Sequence, residues 1–459
     1  MLKAKGEKII TILCSIVLSC SLWTTEIFAE EPKTDYDPNQ PSYLKLIPPD
    51  KLKEDLDFLF KTIEEVHPNM YAYTSKEQFT PIREKLYRHI NAPMTRIDFV
   101  KLIAPTIASL KSAHTVVFVP LPPAPSELMD FIQKGGKFFP LSIDWYQEKV
   151  ILSENYTSEK LPLGGTILQI NGEDILKVIK RLERYYSAEG RDTCPAVLEN
   201  DKAMRFLFWL EYGPVETLKL RIKAIDGKIN DYFVEMLTFE EIKAKEEPNR
   251  GKNSYRYLPE YETFYVKLDD WADWGRIKEF TKFCDEAFEE IQKKEPSHLI
   301  IDLRHNPGGD LWNTEVFTTY LIKNPNLSFE GSIPVKKLNP FYRGNNPLRF
   351  NRSVCLLMDE ISTSASTTFA GIIRNDRPAT IIGQEPIEPL TFYAATTNFE
   401  SPNMGLLVSV PQVKYVVPGS KNDGRGIIPD YEVKQKPEDT AKGVDTVLQF
   451  TLNLIKDNK

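Results

Sequence analysis

Three segments of this chain carry residue types that could do chemistry together. The first is Asp359-Glu360-Ile361-Ser362-Thr363-Ser364-Ala365-Ser366-Thr367-Thr368-Phe369, where the strand-like Val354-Cys355-Leu356-Leu357-Met358 gives way to a helical pattern. A hydroxyl at the start of a helix lies beside unpaired N–H groups and the positive end of the helix dipole, so negative charge on a neighbouring oxygen is stabilised there. Serines also cap helices routinely, and pattern alone does not choose among Ser362, Ser364 and Ser366. A serine hydroxyl becomes a nucleophile only when a base takes its proton. Among the five histidines, His67 falls at a helix end, His298 at a strand start and His89 on an exposed helical position. His114, in Ser112-Ala113-His114-Thr115, is the candidate base, although a lone histidine is as readily structural. The third segment, Asp302-Leu303-Arg304-His305-Asn306-Pro307-Gly308-Gly309, ends a buried strand in paired glycines. Such a turn brings backbone amides close to a bound atom, as an oxyanion hole requires, and equally makes a plain tight turn.

The elements that must position these residues follow from periodicity. Leu52, Leu56, Leu59, Phe60, Ile63 and Val66 recur at helical spacing until His67-Pro68. Ser75 with Gln78 forms a capping-box pattern for a second helix, and Thr95 with Asp98 starts a third. Leu141–Trp145 and Lys149–Leu152 read as strands, and Ile167-Leu168-Gln169-Ile170-Asn171-Gly172-Glu173 as a strand entering an Asn-Gly turn. From Glu260 strands alternate with helices: Phe264–Leu268, a helix from Arg276 to Lys293, His298–Arg304, Val354–Met358, a helix from about Ala365 to Arg374, and Ala379–Gly383. That alternation implies a sheet covered by helices. The expected organisation is a targeting segment over 1–29, a linker over 30–47, a helical domain over 48–130, a β domain over 137–237 and an α/β core over 258–459.

Taken together the segments resemble the peptidase family of carboxy-terminal processing proteases, tail-specific proteases and the tricorn core (family S41). Asp302 to Gly309 matches the family's D-L-R-x-N-x-G-G, Ser362 to Thr367 its seryl motif, and Gly426-Ile427-Ile428-Pro429-Asp430-Tyr431-Glu432-Val433 its G-V-x-P-D-x-x-V. His67-Pro68-Asn69 and Leu110 to Thr115 match features of one branch. The resemblance implies an α+β multidomain fold: a helical N-terminal domain, a PDZ-like β domain signalled by Ile167 to Glu173, and a crotonase-like core. It implies Ser364 as nucleophile, with Ala365 and either Gly308 or Gly309 as oxyanion donors. The processing-protease branch uses a lysine after the serine, but no lysine stands between Ser364 and Lys414, and Pro389 lies near where one would fall. The tricorn-like branch instead uses a histidine at the position of His114 and an acidic residue near that of Asp423. The departures are Ala113, where a serine can stand, Thr367, where glutamate is common, and Asp423 for glutamate.

The bulk composition fits this reading. The 459 residues are 41% hydrophobic and 27% charged, with a formal net charge of −7, an ordinary folded composition. No basic cluster interleaved with aromatics points to a nucleic-acid partner. Lys3, Lys5 and Lys8, the apolar run Ile9–Trp23 and Ile27-Phe28-Ala29 read as a cleaved export signal, with a lipid anchor on Cys20 as the second possibility. Membrane association would come only through that signal or lipid, and the expected location is secreted or in the cell envelope. Cys194, Cys284 and Cys355 are odd in number and widely spaced, which is not a disulfide framework. No zinc-ligand spacing appears, and the chemistry needs neither metal nor organic cofactor. The expected partner is a peptide or protein, hydrolysed near its C-terminus. The rival reading is a member of the same fold that binds peptides or hydrophobic ligands without turnover. An acyl-CoA enzyme would share the fold alone.

Overall fold

The computed structural model describes residues 46–118, 127–192, 194–246, 251–271, 276–325, 327, 330–331 and 341–457. The targeting segment expected over 1–29, Cys20 included, lies outside them. At the front, α1 (Pro49–Val66), α2 (Lys76–His89) and α3 (Arg96–Ala108) follow one another. Each buries the stripe its spacing defines: Leu52, Leu56, Leu59, Phe60 and Ile63 on α1, and Phe99, Val100, Ile103 and Ile107 on α3. The capping box of α2 is formed, with Ser75 and Gln78 satisfying each other's backbone amides. The Thr95 side chain accepts from the Asp98 amide at the start of α3.

After α3, β1 (Val116–Phe118) leaves the helices and pairs antiparallel with β14 (Leu407–Val416), which hairpins with β13 (Thr391–Glu400). This three-stranded sheet ties the front of the chain to its back. The middle of the chain forms a six-stranded antiparallel sheet. Its path is β2 (Leu141–Tyr146), β3 (Lys149–Asn155), β4 (Thr166–Ile170), β6 (Thr217–Lys223) and β7 (Ile229–Glu235), with β5 (Glu173–Asp174) turned back on β4. The turn between β4 and β5 is Asn171-Gly172, both at positive φ (51° and 82°), the conformation that a two-residue Asn-Gly hairpin demands. Between β5 and β6 run α4 (Ile175–Glu183) and α5 (Asp201–Tyr212). The front helices, this sheet and the tip of the β13–β14 hairpin share one continuous apolar core, in which Leu56, Ile103, Leu152, Ile167, Leu220, Met404 and Val408 all take part.

The remaining sheet has the order β8 (Ser254–Leu258), β9 (Thr263–Lys267), β10 (His298–Asp302), β11 (Ser353–Met358), β12 (Thr380–Gly383) and β15 (Tyr431–Glu432). Only the β8–β9 pair is antiparallel; the others are parallel. Side chains alternate between two apolar layers. Phe264, Val266, Leu299, Ile301, Val354 and Leu356 meet α6 (Ile277–Lys294), α7 (Leu311–Thr319) and α8 (Ala365–Asp376) on one face. Tyr265, Ile300, Cys355, Leu357 and Ile382 meet α9 (Thr446–Asp457) on the other. Burial on both faces explains why these strands read as unbroken apolar runs.

Candidate active site

At the ends of β10 and β11 the seryl corner and the glycine turn interlock. Asp302 ends β10 fully buried, its carboxylate accepting from Arg304 at 2.6 Å and from the Tyr265 hydroxyl at 2.6 Å, and Arg304 reaches on to Asp445 at 2.8 Å. This pins the start of the turn. Thr363 donates its amide to the Asn306 carbonyl (3.2 Å) and its hydroxyl to the Pro307 carbonyl (3.1 Å), so the two loops are stitched side by side.

The hydroxyls then separate the three serines. Ser362 is fully buried and donates to Asp359 at 2.8 Å, with the Leu303 carbonyl 2.9 Å away. Ser366 is fully buried, donates to the Asn306 carbonyl at 3.1 Å and accepts from the Trp271 indole at 2.9 Å. Ser364 is half-buried, and among the described residues nothing holds its hydroxyl. It stands directly before α8 with φ 56° and ψ −115°, a conformation a residue bearing a Cβ adopts only under constraint. The constraint is visible at Gly308. A Cβ added there would come within 2.5 Å of the Ser364 Cβ, 2.9 Å of the Thr363 carbonyl and 3.0 Å of the Ala365 amide. Gly308 (φ 107°) and Gly309 (φ 135°) both lie in glycine-favouring backbone space.

Their amides differ. The Gly308 N–H donates to the Asn306 side chain at 2.9 Å. The bridge between Trp271 and Gly309 uses the Gly308 carbonyl (2.9 Å) and the Asp310 amide (2.8 Å). Among the described residues the Gly309 amide has no such partner, and Gly308, its neighbour, packs against the first amide of α8 at Ala365.

His114 reaches this corner from the front of the chain on the segment between α3 and β1. Its ring is 4% exposed, and it stacks on Phe392 of β13 with centroids 6.0 Å apart. A backbone hydrogen bond joins it to Tyr393, while Nδ1 has no hydrogen-bond partner among the described residues. Burial pushes the imidazole down to about 4, so it is neutral at physiological pH. Its turn is braced by His67, whose Nδ1 accepts from the Asn69 amide at 3.0 Å. The neutral ring therefore carries its proton on Nε2, which donates to Ser112 Oγ at 3.0 Å. Burial holds His67 down to about 4 as well.

Between His114 and Ser364 lies a carboxyl group that the sequence reading did not select. Glu388, 3% exposed, accepts the Ser364 amide through Oε2, and its Oε1 lies 4.0 Å from His114 Nδ1. Thr367, at the position where the family commonly has glutamate, also bonds the Glu388 side chain. Burial raises Glu388 to about 8, the neighbouring Glu189 adding to the rise, against the pull of the Ser364 amide and Thr367. The sequence offers only a local hint in Pro386-Ile387-Glu388-Pro389-Leu390, a single acid among apolar residues and prolines, and nothing in it pairs that acid with His114. Glu189 is the second buried acid. It accepts the Ala113 amide at 2.7 Å, the Tyr393 amide at 3.1 Å and the Tyr73 hydroxyl. Burial lifts it to about 7, against those three hydrogen bonds. Asp423 is not brought to this cluster. It is exposed, and its carboxylate accepts the Arg425 amide at 3.1 Å in its own turn.

Residues 262–433 match the model of peptidase family S41. A carboxy-terminal-processing protease of Bartonella bacilliformis is 30% identical over 185 residues, which are 38% of this chain and 41% of that protein. A probable CtpA-like serine protease of Staphylococcus epidermidis is 25% identical over 222 residues, 46% of this chain and 42% of that protein. The chain thus spans about two fifths of the length of these curated relatives. The crystal structure of mature CPAF superimposes with a TM-score of 0.62 at 13% identity, covering 88% of this chain and 96% of that one. A second structure of mature CPAF, complexed with lactacystin, gives the same TM-score of 0.62. The architecture is thus a mixed α/β fold of several sheets and helices, of the kind seen in mature CPAF. Over residues 262–433, the part that holds the seryl corner and the glycine turn, the chain is thus similar to peptidase family S41.

Proposed function

We propose that the protein is an exported serine peptidase that cleaves peptides or proteins near their C-termini through an acyl-enzyme. Ser364 Oγ attacks the scissile carbonyl carbon, and its proton passes to the unpaired Nδ1 of His114. The amides of Gly309 and Ala365 receive the oxyanion, since the Gly308 amide is already bonded. Collapse breaks the C–N bond, and the leaving amine takes the proton from His114. Water then attacks the acyl-enzyme with the same base and releases Ser364. Glu388, rather than Asp423, is the carboxylate that faces the imidazole and balances its charge when it is protonated. A PDZ-like sheet over 137–237 would hold the substrate end by strand addition, beside a crotonase-like core.

One observation carries this reading: a single buried carboxyl group binds the Ser364 amide and lies 4.0 Å from the His114 ring. An apo site of that looseness is compatible with catalysis once substrate tightens it. The test is active-site labelling with a fluorophosphonate. Ser364 of the purified protein is expected to be modified, the reaction to be lost in Ser364→Ala and strongly slowed in His114→Ala, and peptide hydrolysis to follow the same order. Peptide binding with no labelling and no turnover would assign the protein to binding instead.

A further inference from the structure

A second buried acid touches the scaffolding of the site and takes no part in the chemistry above. Glu189 stands between α4 and α5, in a different part of the chain from Ser364, His114 and Glu388, and is 3% exposed. Each carboxylate oxygen has its own backbone donor: Oε2 takes the Ala113 amide at 2.7 Å and Oε1 the Tyr393 amide at 3.1 Å. Ala113 directly precedes His114, and Tyr393 supplies the backbone group to which the His114 ring is bonded. Both ends of the imidazole's support therefore meet on one side chain. The next residue, Gly190, is fixed as well, donating to the Lys111 carbonyl at 2.8 Å. A Cβ at Gly190 would press within 3.2 Å of the Tyr73 ring, so the approach of Tyr73 to this carboxylate is close-packed.

We propose that Glu189 is a positioning residue of the active site, a clamp that holds the segment bearing His114 against strand β13 and so sets where the imidazole stands relative to Ser364. This rests on the serine-peptidase reading. The clamp needs the ionised form, because a protonated oxygen would present a hydrogen to a backbone N–H that is itself a donor. The titratable groups that face Glu189 are Tyr73 on the α1–α2 connection, Tyr393 on β13, and Glu388 just before β13; His114 lies one residue from Ala113. With burial raising Glu189 to about 7, the clamp closes across the neutral range.

The test compares the wild-type chain with Glu189→Gln and Tyr73→Phe, measuring the rate of fluorophosphonate labelling at Ser364 from pH 5 to 9, kcat and KM on a peptide, and the thermal midpoint. Glu189→Gln retains one acceptor but sets an amide N–H against a backbone N–H. It is expected to slow labelling and kcat on the order of 10–100-fold with KM little changed, the size of effect that small misplacements of catalytic groups produce. Tyr73→Phe keeps both backbone bonds but removes a hydrogen bond that favours the ionised carboxylate. Its acid limb is expected to move to higher pH, and this variant decides the matter should Glu189→Gln fail to fold. A folded Glu189→Gln that labels at the wild-type rate, or a Tyr73→Phe whose acid limb does not move, overturns the clamp while leaving the peptidase reading intact. A wild-type chain that is never labelled at Ser364 removes the peptidase reading itself.

Discussion

At the scale of single residues, the site turns on a carboxyl group whose charge costs the fold something. Glu388 is raised to about 8 from an ordinary carboxyl value, mainly because it is buried. Its folded-state pKa lies above its unfolded one, so the native state holds the proton more tightly. Stability is therefore lost as pH climbs from roughly 4.5 through about 8. If the ionised form supports the imidazolium of His114, activity gains over the same upper range. Glu388→Gln separates the two effects. Its kcat/KM should fall by roughly two orders of magnitude or more at pH 9 and lack the rise through about 8 expected of the wild type. Its unfolding free energy should exceed the wild type's at pH 9 by on the order of a few kcal/mol, read from denaturant melts, and converge with it near pH 5. A variant no more stable than wild type at pH 9 would show that the buried carboxyl bears no such burden. The seryl corner was legible because a hydroxyl-rich passage from a strand to a helix is a local pattern, and the resemblance of Ser362 to Thr367 to a family motif then chose Ser364 within it. Glu388 was not, because its meaning depends on a histidine from the far end of the chain, and no spacing encodes that meeting. Asp423 shows the converse. Position along the chain favoured it, but its turn keeps it in solvent.

At the scale of elements, the strained serine depends on a neighbour without a side chain. Gly308→Ala would place a methyl group 2.5 Å from the Ser364 Cβ, in a backbone with φ 107°. Left-handed backbone alone costs an L-residue about 1–2 kcal/mol, and the overlap adds to it. Relief can come only by moving the seryl corner or the glycine turn, and either shift displaces the Gly309 amide from Ser364. The expected result is a melting temperature lower by several degrees and labelling of Ser364 slowed at least ~100-fold, measured well below the melting range. Labelling at the wild-type rate would mean that the corner tolerates rearrangement and that its strain is incidental. The strands and helices around this corner were readable from periodicity, since burial on both faces of β10 and β11 leaves unbroken apolar runs. The pairing of β1 with β14 was not. Val116 opposite Ser409 and Phe118 opposite Leu407 is a register fixed by tertiary packing, and either strand read alone accepts many partners.

At the scale of the whole molecule, the question is what keeps the front of the chain, with His114, docked on the back, with Ser364. Part of the answer is apolar, because Met404, Leu406, Val408 and Val410 of the β13–β14 region lie in the same core as α1 and α3. Part is a polar strut. Asp55 of α1 is fully buried and receives the Ser401 hydroxyl (2.8 Å), the Asn403 amide (2.9 Å), the Asn403 side chain (2.7 Å) and the Met404 amide (2.7 Å). Beside it, Arg96 of α3 binds Glu127 at 2.7 Å and the Met404 carbonyl at 3.3 Å, so two helices grip one turn. Asp55→Ala would leave buried donors without an acceptor, at about 1–3 kcal/mol for each that water cannot reach. The tip of the hairpin would loosen from α1, and with it the end of β13 that lies beyond Phe392 and Tyr393, the residues against which His114 rests. Asp55→Ala is therefore expected to lower the melting temperature by roughly 5–10 °C and, far below that temperature, to reduce kcat more than it changes KM, because the loss falls on the geometry between imidazole and hydroxyl. Asp55→Asn, which keeps one acceptor oxygen, should lie between the two. A destabilised Asp55→Ala whose kcat at low temperature matches the wild type would show that the docking of front on back is held by the apolar core alone and that the strut serves stability without serving the site.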